Sequence, residues 1–235
     1  MWRAGAVLGV ALYVSFALQT YGLAYTTPAR SAFLTAGYVF LVPLLGRIFL
    51  REPVGIGVGA GAALATIGLA LLTGPEVDAG IRRGDVLSLL CALGFAVHIL
   101  LLGRLAPGRP ALDLAIAQLA VAAALAILAS TAAAPARLVP TAYGGRAVAG
   151  IAFLGLGCTA LAYLVQTWAQ RTTPAARAAL IFALEPAFAA IFSVSLGQER
   201  LGVAETAGCV LIGLGVVAAE AMRRPAAGAA PPATS

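Results

Sequence analysis

Of the 235 residues, 61% are apolar and only 10% carry a formal charge, with a mean hydropathy of +0.97. A soluble domain spends roughly 25% of its residues on charge to wet its surface, so this composition excludes one and requires lipid around the chain. The net charge of +6 comes from arginine alone, set singly or in pairs between apolar runs, which suits membrane flanks and excludes nucleic acid as a partner.

In chain order, the apolar runs and their breaks predict an all-α polytopic transmembrane bundle. Its eight spanning helices lie near 4–24, 28–50, 54–73, 85–105, 111–131, 146–169, 174–197 and 202–221. Each has about 20 residues, enough at a rise of about 1.5 Å to cross roughly 30 Å of hydrocarbon. The first run follows Met1-Trp2-Arg3 directly, but it is long for a signal-peptide core and belongs to a repeat described below, so it reads as an uncleaved span. Thr27-Pro28 and Thr173-Pro174 each offer a hydroxyl cap before a proline in the first turn. Glu52-Pro53 puts an acid at the positive end of the third helix. Pro43 is expected to kink the second helix. Gly55, Gly57, Gly59 and Gly61 contain GxxxG spacing twice and predict a tight helix contact. Cys91, Cys158 and Cys209 each sit inside an apolar run and read as small packing residues, not as a disulfide framework. Beyond Arg223-Arg224, the Pro- and Ala-rich tail is expected to be disordered.

With the N-terminus inside, nine arginines fall on the cytoplasmic side (3, 47, 51, 104, 109, 171, 177, 223, 224) and six outside (30, 82, 83, 137, 146, 200). That bias predicts cytoplasmic termini. The absence of lysine points to a GC-rich bacterial genome, and so to an inner membrane.

An internal repeat is visible at an offset of 147. Gln19 pairs with Gln166, Glu52 with Glu199, Gly55 with Gly202 and Gly68 with Gly215, while TTPARSAFL at 26–34 parallels TTPAARAAL at 172–180 one residue out of register. Under the arginine topology, Glu52 and Glu199 lie on opposite sides, so the two units are inverted. Inverted repeats are frequent in secondary transporters, whose substrate sites lie near the midplane between the halves.

Three segments carry a resemblance: GLAYTTPARSAFLTAGYVFLVPLLGRIFLREPVG, GDVLSLLCALGFAVHILLLGRLA and RAALIFALEPAFAAIFSVSLGQERLG. Over about residues 5–221 the chain resembles EamA-type members of the drug/metabolite transporter superfamily. The resemblance implies two inverted five-helix repeats, transport of a small metabolite, and cytoplasmic termini. Matched to that pattern, the first two helices of the first repeat have no counterpart here. The implied organisation is a partial first repeat at 1–74, a connecting loop at 75–84, a second repeat at 85–221, and a tail at 222–235. Glu52 and Glu199 match the repeat-end acids, although capping, or pairing with Arg51 and Arg200, explains them equally well.

Glu185 is the most informative residue. It lies 11 positions past Pro174, about 16 Å along its helix and near the bilayer centre. An acid there is costly unless paired, hydrated or protonated, and is by default a functional-site candidate. Pro186 removes a backbone hydrogen bond and frees the Phe182 carbonyl, so the pair predicts a kinked helix facing a cavity. Proton exchange at Glu185 is the expected coupling. Tyr38 is its repeat counterpart, and Gln19 and Gln166 occupy equivalent positions, where they orient a solute or bind helices together. His98 has no Cys, Asp or Glu at ligand spacing, so no metal site is expected, and it reads as polar packing with cavity contact as the alternative. No HExxH, P-loop or paired intramembrane aspartates are present, and Ser15 and Ser193 lack an evident base, so neither catalytic residues nor a cofactor are expected. The expected function is a small-solute permease working by alternating access. The alternative is a non-transporting protein that packs with a second copy or a partner chain.

Overall fold

The computed structural model describes residues 1–74, 83–133, 144–197 and 200–222. Among these, eight helical segments are long and apolar enough to cross a membrane: 2–23, 30–49, 56–73, 83–105, 111–133, 145–169, 175–195 and 203–221. The chain is an integral membrane protein, a polytopic helical bundle. The loop at 75–82, Glu199 and the tail from 223 lie outside the described residues.

Three spans are not single α-helices. The second divides into α2 (Pro28–Ala36) and α3 (Tyr38–Phe49), and the seventh into α9 (Ala175–Phe182) and α10 (Leu184–Ser195). The breaks fall at Gly37 and Ala183. The sixth runs as α7 (Gly145–Ala152), a π-helix (Phe153–Leu161) and α8 (Ala162–Ala169). The unbroken spans are α1 (Trp2–Leu23), α4 (Ile56–Thr73), α5 (Arg83–Leu105), α6 (Ala111–Ala133) and α11 (Val203–Ala221).

Several local expectations are corrected. The break in the second span is at Gly37, whereas Pro43 lies inside α3 without interrupting it. Gly37 admits the turn because a Cβ there would meet the Leu34 carbonyl at 2.9 Å. Thr27 does cap α2, accepting from the Arg30 N–H at 3.3 Å. Thr173 does not cap α9, whose N-cap is Pro174 with no side-chain bond. Glu52 does not open α4, which starts at Ile56 behind Gly55. Its backbone N–H instead folds back onto the Gly46 carbonyl at 3.1 Å, through a left-handed Arg51 at φ 54°. No Glu52–Arg51 ion pair occurs among the described residues.

The helices are held by small residues, as lipid-embedded bundles require, because close backbone approach replaces hydrophobic exclusion. α4 packs against α11 along an antiparallel seam. A Cβ on Gly57 would meet the Ala219 carbonyl at 3.3 Å, one on Gly61 the Gly215 carbonyl at 2.5 Å, and one on Gly68 the Gly208 carbonyl at 2.6 Å. The offset of 147 turns the pair 61–215 into the pair 208–68, so the seam maps onto itself. Gly55 and Gly59 face open space, so only half of the glycine series makes the predicted contact. On the other side of the bundle, α1 lies against α5 and α6, with Ala4, Leu8, Leu102 and Leu114 buried between them. The broken spans join the two groups: Val42 of α3 and Ala179 of α9 meet Ala96 and Ile99 of α5.

Because α4 and α11 are antiparallel and each follows a broken span through a short link, α2 and α9 begin at opposite ends of the bundle. Both carry an anchored arginine near their start. Arg30 meets Asp85 at 2.8 Å, and Thr26 also donates to that carboxylate at 2.8 Å. Arg177, its counterpart at offset 147, grips Glu220 through Nε at 2.8 Å and Nη2 at 2.7 Å.

Candidate functional site

A cavity of about 360 Å³ opens where α1, α5 and α8 meet the two broken spans. Glu185, Tyr38, Gln19, Gln166 and His98 all line it. Tyr38 and Glu185 each stand in the first turn beyond a break, on α3 and α10, so the interruptions at Gly37 and Ala183 set both side chains at the wall. Glu185 is exposed at the cavity and, among the described residues, is the only acidic or basic side chain of its lining apart from His98. Pro186, the next residue of α10, is not among the lining residues. Glu52 lies beyond the end of α3, away from the cavity, and Glu199 is outside the described residues.

Aromatic rings make up much of the remaining wall. Phe16 meets Phe95 edge-on at 5.5 Å and Tyr163 at 6.1 Å, and Tyr163 meets His98 at 5.8 Å. Such T-shaped contacts hold the rings in fixed orientations. The Thr35 hydroxyl, on α2, is a buried lining group beside the Cys91 thiol. The π-helix contributes Cys158 and Thr159, so Cys158 is a wall residue and not the packing residue expected.

Two hydrogen-bonded relays lead from the wall into the protein. His98 Nε2 lies 2.9 Å from Gln118 Oε1, Gln118 Nε2 lies 2.9 Å from Thr167 Oγ1, and that hydroxyl lies 2.6 Å from the Tyr163 carbonyl. Gln166 Nε2 lies 3.1 Å from Gln170 Oε1, and Gln170 Nε2 lies 3.0 Å from the Ile99 carbonyl. Burying these groups satisfied is what makes them tolerable in an apolar bundle, and it fixes the side chains at the wall. A larger cavity of about 490 Å³ lies across α8, sharing Ala162, Gln166 and Phe182, but its lining is otherwise mainly aliphatic. Convergent polar groups distinguish the first as the binding candidate.

Sequence reasoning found the ionisable and amide groups because a polar residue inside a span stands out. Thr35, Phe95, Cys158 and Thr159 escaped it. A threonine or cysteine in an apolar run carries no signal, and a phenylalanine there looks like any lipid-facing residue.

Comparison with known proteins agrees with this architecture. Residues 82–219 match the model of the EamA-like transporter family, more than half of the chain. The chain belongs to that family. It is also 28% identical over 220 residues to an uncharacterized transporter of Archaeoglobus fulgidus, covering 92% of this chain and 68% of that protein. A solved crystal structure superposes with a TM-score of 0.77 at 18% identity, covering 94% of this chain and 86% of the other, which shows the fold. This EamA-like chain is therefore a membrane transporter, and both comparisons point away from an enzyme.

Proposed function

We propose that this EamA-like protein carries a small solute by alternating access, with the 360 Å³ cavity as its binding site and Glu185 as its charged group. The observation that carries the reading is the junction of two broken spans at one polar, aromatic-walled cavity. Broken helices place backbone and side-chain polar groups at membrane depth where they line a cavity, the arrangement that solute and ion sites use. The anchored pairs Arg30–Asp85 and Arg177–Glu220, at opposite ends, suit a molecule that opens one end at a time. Proton exchange at Glu185 is the proposed coupling; the arginine distribution supports cytoplasmic termini, and the absence of lysine a bacterial inner membrane.

The test is solute uptake into proteoliposomes containing the purified chain. Saturable uptake that Tyr38→Phe and Glu185→Gln both reduce supports the reading. Variants that fold and transport like the parent refute the cavity as the path. If Glu185→Gln transports with an unchanged pH profile, the proton role falls while the path stands.

A further inference from the structure

The cavity's hydrogen bonds have a direction, and the direction selects the ligand. Each relay ends on a backbone carbonyl, which only accepts. Gln170 must turn its nitrogen toward Ile99, since the reverse would set two acceptors face to face at 3.0 Å. Its oxygen then accepts from Gln166 Nε2, which leaves the oxygen of Gln166, a lining residue, with no partner among the described residues. In the other relay, the single Thr167 hydroxyl proton goes to the Tyr163 carbonyl at 2.6 Å. Thr167 therefore accepts from Gln118 Nε2, and Gln118 presents its oxygen to His98 Nε2. His98 Nε2 must then carry the imidazole proton, leaving Nδ1 as an acceptor. Thr159 likewise spends its proton on the Leu154 carbonyl at 3.0 Å, so its oxygen only accepts.

Around one cavity there are thus three acceptors fixed by their anchors, together with the Glu185 carboxyl group. No arginine lines it among the described residues. The hydroxyls of Thr35, Tyr38 and Tyr163 and the amide of Gln19 donate or accept as required. The aromatic faces favour a positive charge further. We infer that the cavity binds a primary ammonium borne on an aromatic or apolar body, its three N–H donors taken by His98 Nδ1, Gln166 Oε1 and the Glu185 carboxyl group, with Thr159 Oγ1 a further acceptor along the wall. This deepens the transport reading above and rests on it for the step of carriage, though not for binding.

Two measurements test it. The chain contains one histidine, so ¹⁵N-histidine labelling gives a single imidazole whose two nitrogen shifts report its tautomer. Protonation on Nε2 is expected, and protonation on Nδ1 overturns the proposal. Binding to the purified protein is then compared for 2-phenylethylamine, its N,N,N-trimethyl derivative and phenylacetate. The primary amine is expected to bind about tenfold or more tightly than the trimethyl cation, since hydrogen bonds to charged groups carry that discrimination. Phenylacetate is expected not to bind, and Glu185→Gln is expected to abolish most of the amine affinity. Equal affinity for the two cations, or no amine binding, overturns the proposal even if the Glu185 variant fails to fold. The same amine and zwitterionic phenylalanine are finally offered to proteoliposomes. An amine that binds selectively but is not carried sustains the site and refutes the transport reading. Phenylalanine carried in preference to the amine sustains transport and refutes the ammonium site.

Discussion

Replacing Gly61 with alanine puts a methyl group into the seam between α4 and α11. The new Cβ would stand 2.5 Å from the Gly215 carbonyl oxygen and 3.1 Å from the Ala219 Cβ. Reaching an ordinary contact of 3.4 Å requires the helices to part there by about 0.9 Å, against backbone atoms that cannot rotate away. Parting them also loosens the neighbouring Gly57 and Gly68 contacts. Overpacking of this kind costs about 1–3 kcal/mol. Gly59, half a turn away on the same helix, meets nothing within 4 Å. Gly59→Ala therefore adds only helix propensity, worth up to about 1 kcal/mol in the stabilising direction. The two substitutions, chemically identical and two residues apart, are expected to move stability in opposite directions. Unfolding by SDS titration in mixed micelles, followed by far-UV circular dichroism, reads the difference. Equal midpoints for Gly59→Ala and Gly61→Ala would refute the packing argument.

Other expectations follow from the same structure. Arg30→Met leaves the buried Asp85 carboxylate with fewer partners and is expected to cost about 3 kcal/mol; Arg177→Met breaks a more exposed pair worth about 1 kcal/mol or less, and SDS titration ranks them. Gln170→Leu removes the bond to the Ile99 carbonyl and leaves the Gln166 amide without its acceptor, at a cost of about 1–3 kcal/mol, whereas Gln19→Leu, which breaks no bond among the described residues, is expected to leave stability nearly unchanged. In single-cysteine variants, a small methanethiosulfonate reagent is expected to label Cys158 at the cavity wall and to spare the fully buried Cys91. Equal labelling of both would show that this cavity is not the water-accessible path.

The eight spans were legible because length and apolarity alone determine whether a segment crosses lipid, and each lies within two or three residues of its sequence-derived limits. The breaks were legible only in part. The Glu185-Pro186 pair marks the seventh span, which divides at Ala183, whereas in the second span Pro43 carried the conspicuous signal and the chain turns instead at Gly37, a small residue among many small residues. The π-helical stretch was equally silent, since its register depends on neighbours along the span. Glu185 stood out because an acid at membrane depth is expensive, and the structure does put it at the cavity. The Gly55–Gly61 series shows the limit of spacing: both faces satisfy the motif, and only the position of α11 decides that Gly57 and Gly61 are the pair in contact. The partnership of Arg30 with Asp85 links residues 55 positions apart and left no trace in any single window.

The self-mapping glycine seam also bears on how this sequence can change over time. At Gly61, Gly68, Gly208 and Gly215 the nearest atoms of the facing helix belong to its main chain, so a larger residue on one side meets a backbone oxygen that no side-chain replacement opposite can remove. Paired substitutions, the usual route by which packed surfaces drift, are closed there. Glycine is therefore expected at these four positions in distant descendants of the same repeat, a ruler by which they could be set in register after the surrounding helices have diverged.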